Sequence, residues 1–361
     1  MLILASNGQV YFSCNSAVYS DEVVTGARPD TDAAMFQGAE MIKLRSDSSQ
    51  PWSTYQRAVE AYTARFMNNP KDVINAFSGM LNALTSARCV EGIPVPLLTI
   101  AILWQPRQRL KRRPECSSWS WAGWEGKVHW PGKNLLNDLC EEVQSETKAL
   151  EAWTKSRTWI VWYSSRATNC RSAAFRSEGP AWLHGTRPDE DLHNGHFCSW
   201  PQNVLPTPSL LPDALECMRE DQDDTRHLQF WTFHMRFRIK LETTAVLHYT
   251  SLDPQNTGNG LRRFTIHDAF SNELGWVLLD EVWIETAVGG LDVQEFILLS
   301  EATSHENVGF NVSSAVETRK RDFNTMMISW DGGIAERKGL GRICIDATLM
   351  STMEWKEILL G

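Results

Sequence analysis

The densest set of metal-capable side chains falls in one stretch: His184, Asp189, His193, His196 and Cys198. Imidazole nitrogen, thiolate and carboxylate are the ligands zinc takes, held tetrahedrally in structural sites. His193, His196 and Cys198 lie close enough in sequence to share one ion, and His184 or Asp189 would complete the set. Their spacing matches no structural zinc pattern, and ligand-capable residues are common in loops, where geometry decides whether a metal binds. The stretch therefore reads as a polar surface loop, with no metal and no cofactor expected. A second set, Asp280, Glu281 and Glu285, sits beside Trp276 and Trp283. Paired carboxylates with tryptophan platforms occur in glycosidases, where the carboxylate separation sets the mechanism. Neighbouring residues of a strand point to opposite faces, so Asp280 and Glu281 do not readily share a substrate. Solvated strand ends are the competing reading.

The run from Arg107 to Arg113 holds five cations: Arg107, Arg109, Lys111, Arg112 and Arg113. Such a run serves as a localisation signal or a patch for an acidic partner, and a solvated loop before a buried strand explains it equally well. Gly332-Gly333 and Gly339-Leu340-Gly341 do not form a dinucleotide fingerprint, and neither a phosphate-binding Walker A loop nor a G-x-S-x-G elbow occurs. Cys14 or Cys89 with a distant histidine leaves nucleophilic catalysis open, weakly among eight cysteines. These residues specify no catalytic site.

Composition narrows the class. The 361 residues are 42% hydrophobic and 22% charged, ordinary globular material. A net charge of -9 argues against a general nucleic-acid binder. Met1-Leu2-Ile3-Leu4-Ala5 has neither the basic start nor the apolar length of a signal peptide. The longest apolar stretch, 93–104, is broken by Pro94 and Pro96 and falls short of the ~20 residues that span a bilayer. With no C-x-x-C pair and no secretion signal, reduced thiols in a cytoplasmic protein are expected. The sequon Asn311-Val312-Ser313 then carries no meaning. The partner class left open is another protein.

The elements that would position these groups start from tryptophan. Trp119, Trp121 and Trp124 fall within six residues of the run 117–126, in a chain with 16 tryptophans. Trp119 and Trp121 alternate as in a strand, while Gly123 and Gly126 permit a sharp turn. Asn7-Gly8 predicts a hairpin near the start. Trp52, Tyr55, Val59, Tyr62 and Phe66 recur at helical spacing, and Val73, Phe77, Met80, Leu81 and Leu84 continue as a second helix after Asn69-Pro70. Pro94 and Pro96 are expected to end that helical region. Residues 134–155 permit a helix, and 158–163 favour a strand. Residues 165–226 are irregular, with an acidic cluster at 220–224. From Trp231 to Lys240 the pattern alternates strictly, which predicts a half-buried strand. Further strands are expected at 263–267, 275–279, 296–299, 326–330, 343–345 and 355–360, with a turn at Asp331-Gly332-Gly333.

Four stretches resemble the region downstream of the heterokaryon-incompatibility (HET) domain in filamentous-fungal proteins. They are 1–14, Asp72 to Gly79, Ser118-Trp119-Ser120-Trp121-Ala122-Gly123-Trp124, and the terminal Asp331 to Gly341 with Trp355 to Gly361. The HET domain's own motifs are missing, so the chain is expected to begin where that domain ends, as a truncated gene product or a diverged remnant. The resemblance implies a link to nonself recognition and assigns no residue a catalytic role. The expected fold is α+β, a helical, Trp-rich N-terminal half packed with a mainly antiparallel β-sandwich-like C-terminal half. Its parts are 1–130, an irregular insertion or linker at 131–226, and a β-rich region at 227–361. The expected function is a non-enzymatic regulatory or interaction region of a HET-like incompatibility protein. The alternative is a carbohydrate-active or carbohydrate-binding protein using tryptophans and carboxylates.

Overall fold

A computed structural model describes residues 2–6, 9–13, 18–20, 50–65, 72–87, 89–130, 136, 145–162, 227–241, 260–280, 293–302, 321–345 and 353–361. Strands β1 (Leu2–Ser6), β2 (Gln9–Ser13) and β3 (Val18–Ser20) form an antiparallel meander. The Ser6↔Gln9 register leaves two residues for the turn, the length that Asn7-Gly8 predicts.

Helix α1 (Pro51–Thr63) buries Trp52, Tyr55, Val59 and Tyr62, the face its spacing predicts. Its own N-cap, Gln50, makes no side-chain bond. The orphan N–H groups are met instead by Glu146, whose carboxylate accepts from Trp52 N at 2.7 Å and Ser53 N at 3.1 Å. Helix α2 (Val73–Leu84) buries Val73, Phe77 and Leu81. Phe66, Asn69 and Pro70 lie outside the described residues.

The prolines correct one expectation. Helix α2 stops at Leu84, and β4 (Cys89–Val90) and β5 (Ile93–Pro94) form a tight hairpin through Glu91 and Gly92, both at positive φ. Pro94 and Pro96 then open a helical segment: a 3-10 turn at Val95–Leu97 and the short α3 (Leu98–Ala101). A first-turn proline loses no intrahelical bond and arrives with its φ preset.

The tryptophan run is also not a strand. It lies among the two-residue strands β6 (Gln105–Pro106), β7 (Lys111–Arg112), β8 (Trp124–Glu125) and β9 (Val128–His129), paired β6 with β9 and β7 with β8. Residues 121–123 form a 3-10 turn, capped by Ser120 Oγ accepting from Ala122 N at 3.0 Å. A serine hydroxyl that satisfies a nearby backbone N–H favours turn over strand. Gly126 has φ 127°, and a Cβ on Gly123 would lie 2.1 Å from the Ser117 carbonyl oxygen. The glycines thus hold the turn as their sequence positions predict. Helix α4 (Glu146–Ser156) adds Ala149, Leu150 and Trp153 to the core.

The remaining strands are β10 (Val161–Trp162), β11 (Leu228–Leu241), β12 (Leu261–His267), β13 (Glu273–Asp280), β14 (Val293–Glu301), β15 (Arg321–Asp331), β16 (Ile334–Ile345) and β17 (Glu354–Leu360). They make one eight-stranded sheet in the order β10-β11-β12-β13-β16-β15-β14. Strand β14 returns to pair with β11, so the sheet closes on itself. Strand β17 runs antiparallel along 228–234 of β11 and meets β16 at Ala335↔Leu360. Every strand predicted in the second half lies inside one of these, and Gly332 and Gly333, both at positive φ, turn β15 into β16.

The fold is therefore α+β, with helices in the first half and an antiparallel sheet in the second. The two-sided packing that reads as sandwich-like comes from a single closed sheet. Phe233, Met235, Phe237, Ile239, Phe296 and Leu298 fill its interior. The outward Leu228, Phe230, Ile297, Leu299, Ile358 and Leu360 share a second core with Tyr55, Phe77, Trp119 and Trp121. A sheet covered on both faces explains the near-continuous apolar run at 296–299.

Candidate functional site

The sequence candidates separate on folding. The His184–Cys198 segment, Glu281, Trp283, Glu285 and Cys14 lie outside the described residues. Asp280 ends β13 with Oδ2 3.1 Å from Arg109 Nε, an ion pair. Trp276 is buried, with the Arg263 guanidinium 5.2 Å from its ring centroid, so it offers no open platform. Burial raises the Cys89 thiol and pushes Cys116 up to about 11, the nearby Glu91 adding to the second shift, so both stay protonated at neutral pH. Gly341 sits in β16 where a Cβ would be 2.1 Å from the Trp276 carbonyl oxygen; its smallness serves strand contact. No group of three or more histidine, cysteine, aspartate or glutamate side chains is poised for a metal among the described residues.

The basic run divides into three kinds of residue. Arg107 Nη2 lies 3.9 Å from Glu60, and Arg109 reaches Asp280. Arg112 and Arg113 turn inward: Arg112 Nη1 donates to the carbonyls of Arg113, Cys116 (2.6 Å) and Gly123 (3.1 Å), and Arg113 Nη1 to those of Ala122 (3.4 Å) and Trp124. Burial lowers both guanidinium pKa values, against the pull of nearby carboxylates. Lys111 stays exposed. The run is thus partly a brace beneath the tryptophan turn and partly surface.

The tryptophan turn and the terminal strands, far apart in sequence, form one joint. Trp104 Nε1 donates to the Trp119 carbonyl at 2.8 Å. Arg337 is 2% exposed and lies over Trp104, its guanidinium carbon 3.7 Å from the ring centroid. Its Nη1 donates to the Ile102 carbonyl at 2.7 Å and its Nη2 to that of Trp104. Ser118 completes the clasp. Its N and Oγ donate to the Gly361 carbonyl, and its Oγ accepts from Arg337 N at 2.8 Å. Gly361 N donates in turn to Ala335 at 2.9 Å. Burial lowers Arg337 to about 9, so it remains a cation at neutral pH. Two carbonyls and an indole face replace its water, and no carboxylate pairs with it among the described residues.

One polar cluster has no counterpart in the sequence reading. His234, 3% exposed, places Nε2 2.8 Å from Glu295 Oε2 and Nδ1 3.6 Å from Glu354 Oε2. Trp330 Nε1 donates to the same Glu295 oxygen, and Arg236 Nη2 lies 3.3 Å from the other. Burial alone would raise the Glu295 carboxyl. The hydrogen bonds from Trp330 and His234, with the charge of Arg236, outweigh it and hold Glu295 below its usual range. A histidine beside a carboxylate suits proton transfer. Here both ring nitrogens face carboxylates and the ring is covered, so the cluster acts as a bracket across β17, β11 and β14. The signal is the polar alternation of β11, which predicts His234 and Thr232 as solvent-facing. The structure corrects this, because the first half of β11 is covered on both faces.

A buried histidine makes one pH prediction. Burial pushes His129, in β9, down to about 4, and Arg107 pushes the same way against a backbone bond at Gln105. Its Nδ1 has no hydrogen-bond partner among the described residues. The unfolded chain takes up this proton near 6.5, the folded chain only near 4, so stability falls as pH drops through that window. The loss is roughly 3 kcal/mol. Urea midpoints across this range are expected to slope less in His129→Asn than in the parent; equal slopes would refute the assignment.

No helix among the described residues is long and apolar enough to cross a membrane. Compared with known proteins, the chain matches no family model, no curated protein and no solved structure.

Proposed function

We propose that the chain is a non-enzymatic regulatory or interaction region of a HET-like fungal incompatibility protein, acting in the cytoplasm on a protein partner. The observation that carries this reading is how the tryptophans are used. Trp119 and Trp121 are fully buried, and Trp104 and Trp124 spend their indole N–H groups on the carbonyls of Trp119 and Ser118. Two stretches of the resemblance, the tryptophan run and the terminal segments, are the partners that meet through Ser118, Arg337 and Gly361. Residues that serve one structural joint suit a signature that carries no catalytic group. A carbohydrate site would instead need open rings beside paired carboxylates, and Trp276 and Asp280 are committed elsewhere.

The test joins this chain to the C-terminal side of a HET domain in a filamentous fungus. The expected result is a cell-death response that differs from that of the HET domain alone and reverts toward it when Arg337→Ala loosens the joint. Glycosidic-bond cleavage by the purified chain, lost in Asp280→Asn, would overturn the reading in favour of the carbohydrate alternative.

A further inference from the structure

Beside the tryptophan turn lies a groove of about 720 Å³, where β7, β8 and the end of α1 come together. Arg65, Arg109, Lys111, Arg112 and Lys127 line it, with Glu125 as the one carboxylate of the lining among the described residues. Local charge is strongly positive in a chain whose net charge is -9. Concave sites of one sign focus the field and concentrate counter-ions. The rim is held in place: Arg112 is fixed by three carbonyls and stacks 5.5 Å from the Trp124 centroid, and Arg109 is held by Asp280. Lys111 and Lys127 are exposed, and neither holds a carboxylate among the described residues.

We propose that this groove binds a compact anion carrying several phosphoryl groups. The volume falls in the range of small-ligand sites, about 300–1,000 Å³. Asp280 offsets Arg109, so Lys111, Arg112 and Lys127 set the charge to be matched, and in so small a space that calls for several charges on adjacent atoms. An extended acidic peptide offers one carboxylate to a given face only every ~7 Å. Strand-like nucleic acid is disfavoured because the lining holds no aromatic ring for bases to stack on, among the described residues. Guanidinium forks and ammonium groups are the usual partners of phosphoryl oxygens. The inference rests on the groove alone and is independent of the HET reading.

The experiment titrates the full chain with tripolyphosphate and with inositol hexakisphosphate by calorimetry. Parallel arms use phosphatidylcholine vesicles with and without a phosphoinositide, and a poly-glutamate peptide. Soluble phosphoryl probes or phosphoinositide vesicles are expected to bind, and the responding arm identifies the source of the phosphoryl groups. Lys111→Gln with Lys127→Gln should weaken binding about tenfold or more, and added salt should weaken it further. Arg238→Gln with Lys240→Gln, exposed cations on β11, should bind like the parent. Absence of binding in both phosphoryl arms, equal loss in the β11 control, unchanged binding in the groove variant, or tighter binding of poly-glutamate would each overturn the proposal.

Discussion

Trp121→Ala is expected to lower the unfolding free energy by about 3–5 kcal/mol. The ring is 0% exposed and meets Phe77 and Tyr62 edge-on, with centroids 4.9 and 5.8 Å away. It also closes the hairpin turn before α3: a Cβ on Gly92 would stand 2.7 Å from the indole. Its Nε1 donates to the Tyr55 hydroxyl at 2.9 Å, and that hydroxyl donates to the Gly92 carbonyl at 3.1 Å. Burial holds the Tyr55 pKa well above its ordinary value, so the hydroxyl keeps the proton this relay needs. Alanine leaves a cavity between two helices and the turn, and the close packing around it limits collapse. Trp121→Phe keeps most of the apolar area and loses only the N–H donor, so it should cost less, about 1–2 kcal/mol. Urea denaturation at unchanged m-value reads both numbers; a midpoint unmoved in the alanine variant would show that the turn does not depend on this ring.

What the sequence makes legible here is local periodicity. The spacing of Trp52, Tyr55, Val59 and Tyr62 predicts the buried face of α1, and the alternation at 231–240 predicts the interior face of β11. Local pattern misleads where a side chain bonds its own backbone. Trp119 and Trp121 alternate as strand residues do, yet the Ser120 hydroxyl caps a 3-10 turn that begins at Trp121. It is silent about long-range pairing. Ser118 and Gly361 are 243 residues apart, and nothing near either announces the other. The same limit hides the buried side of His234, because its burial comes from elements packed on β11 rather than from β11 itself. The five cations of the basic run look alike in sequence. Only the fold separates the carbonyl-bound braces Arg112 and Arg113 from the exposed Lys111.

A chain ending at Thr352 is expected to be insoluble or markedly destabilised, because β17 belongs to both the sheet and the joint. Seven residues of β17 pair with 228–234 of β11, so their removal leaves that length of β11 as a new edge. Unpaired, apolar edges invite association with other chains. Ile358 and Leu360 are 0% exposed and Leu359 is 5% exposed. At about 1.5–3 kcal/mol for each buried aliphatic side chain, their loss approaches the ~5–15 kcal/mol that holds a whole domain folded. The deletion also removes Gly361, the acceptor for Ser118, and with it the clasp that orients Arg337 beneath Trp104. Damage should therefore reach the first half of the chain, and the fluorescence of the tryptophan turn should shift toward that of exposed indole. A truncated chain that stays soluble and melts within about 2 °C of the parent, a shift worth only about 1.5 kcal/mol in a chain of this length, would show that the last strand is dispensable and that the joint does not couple the halves.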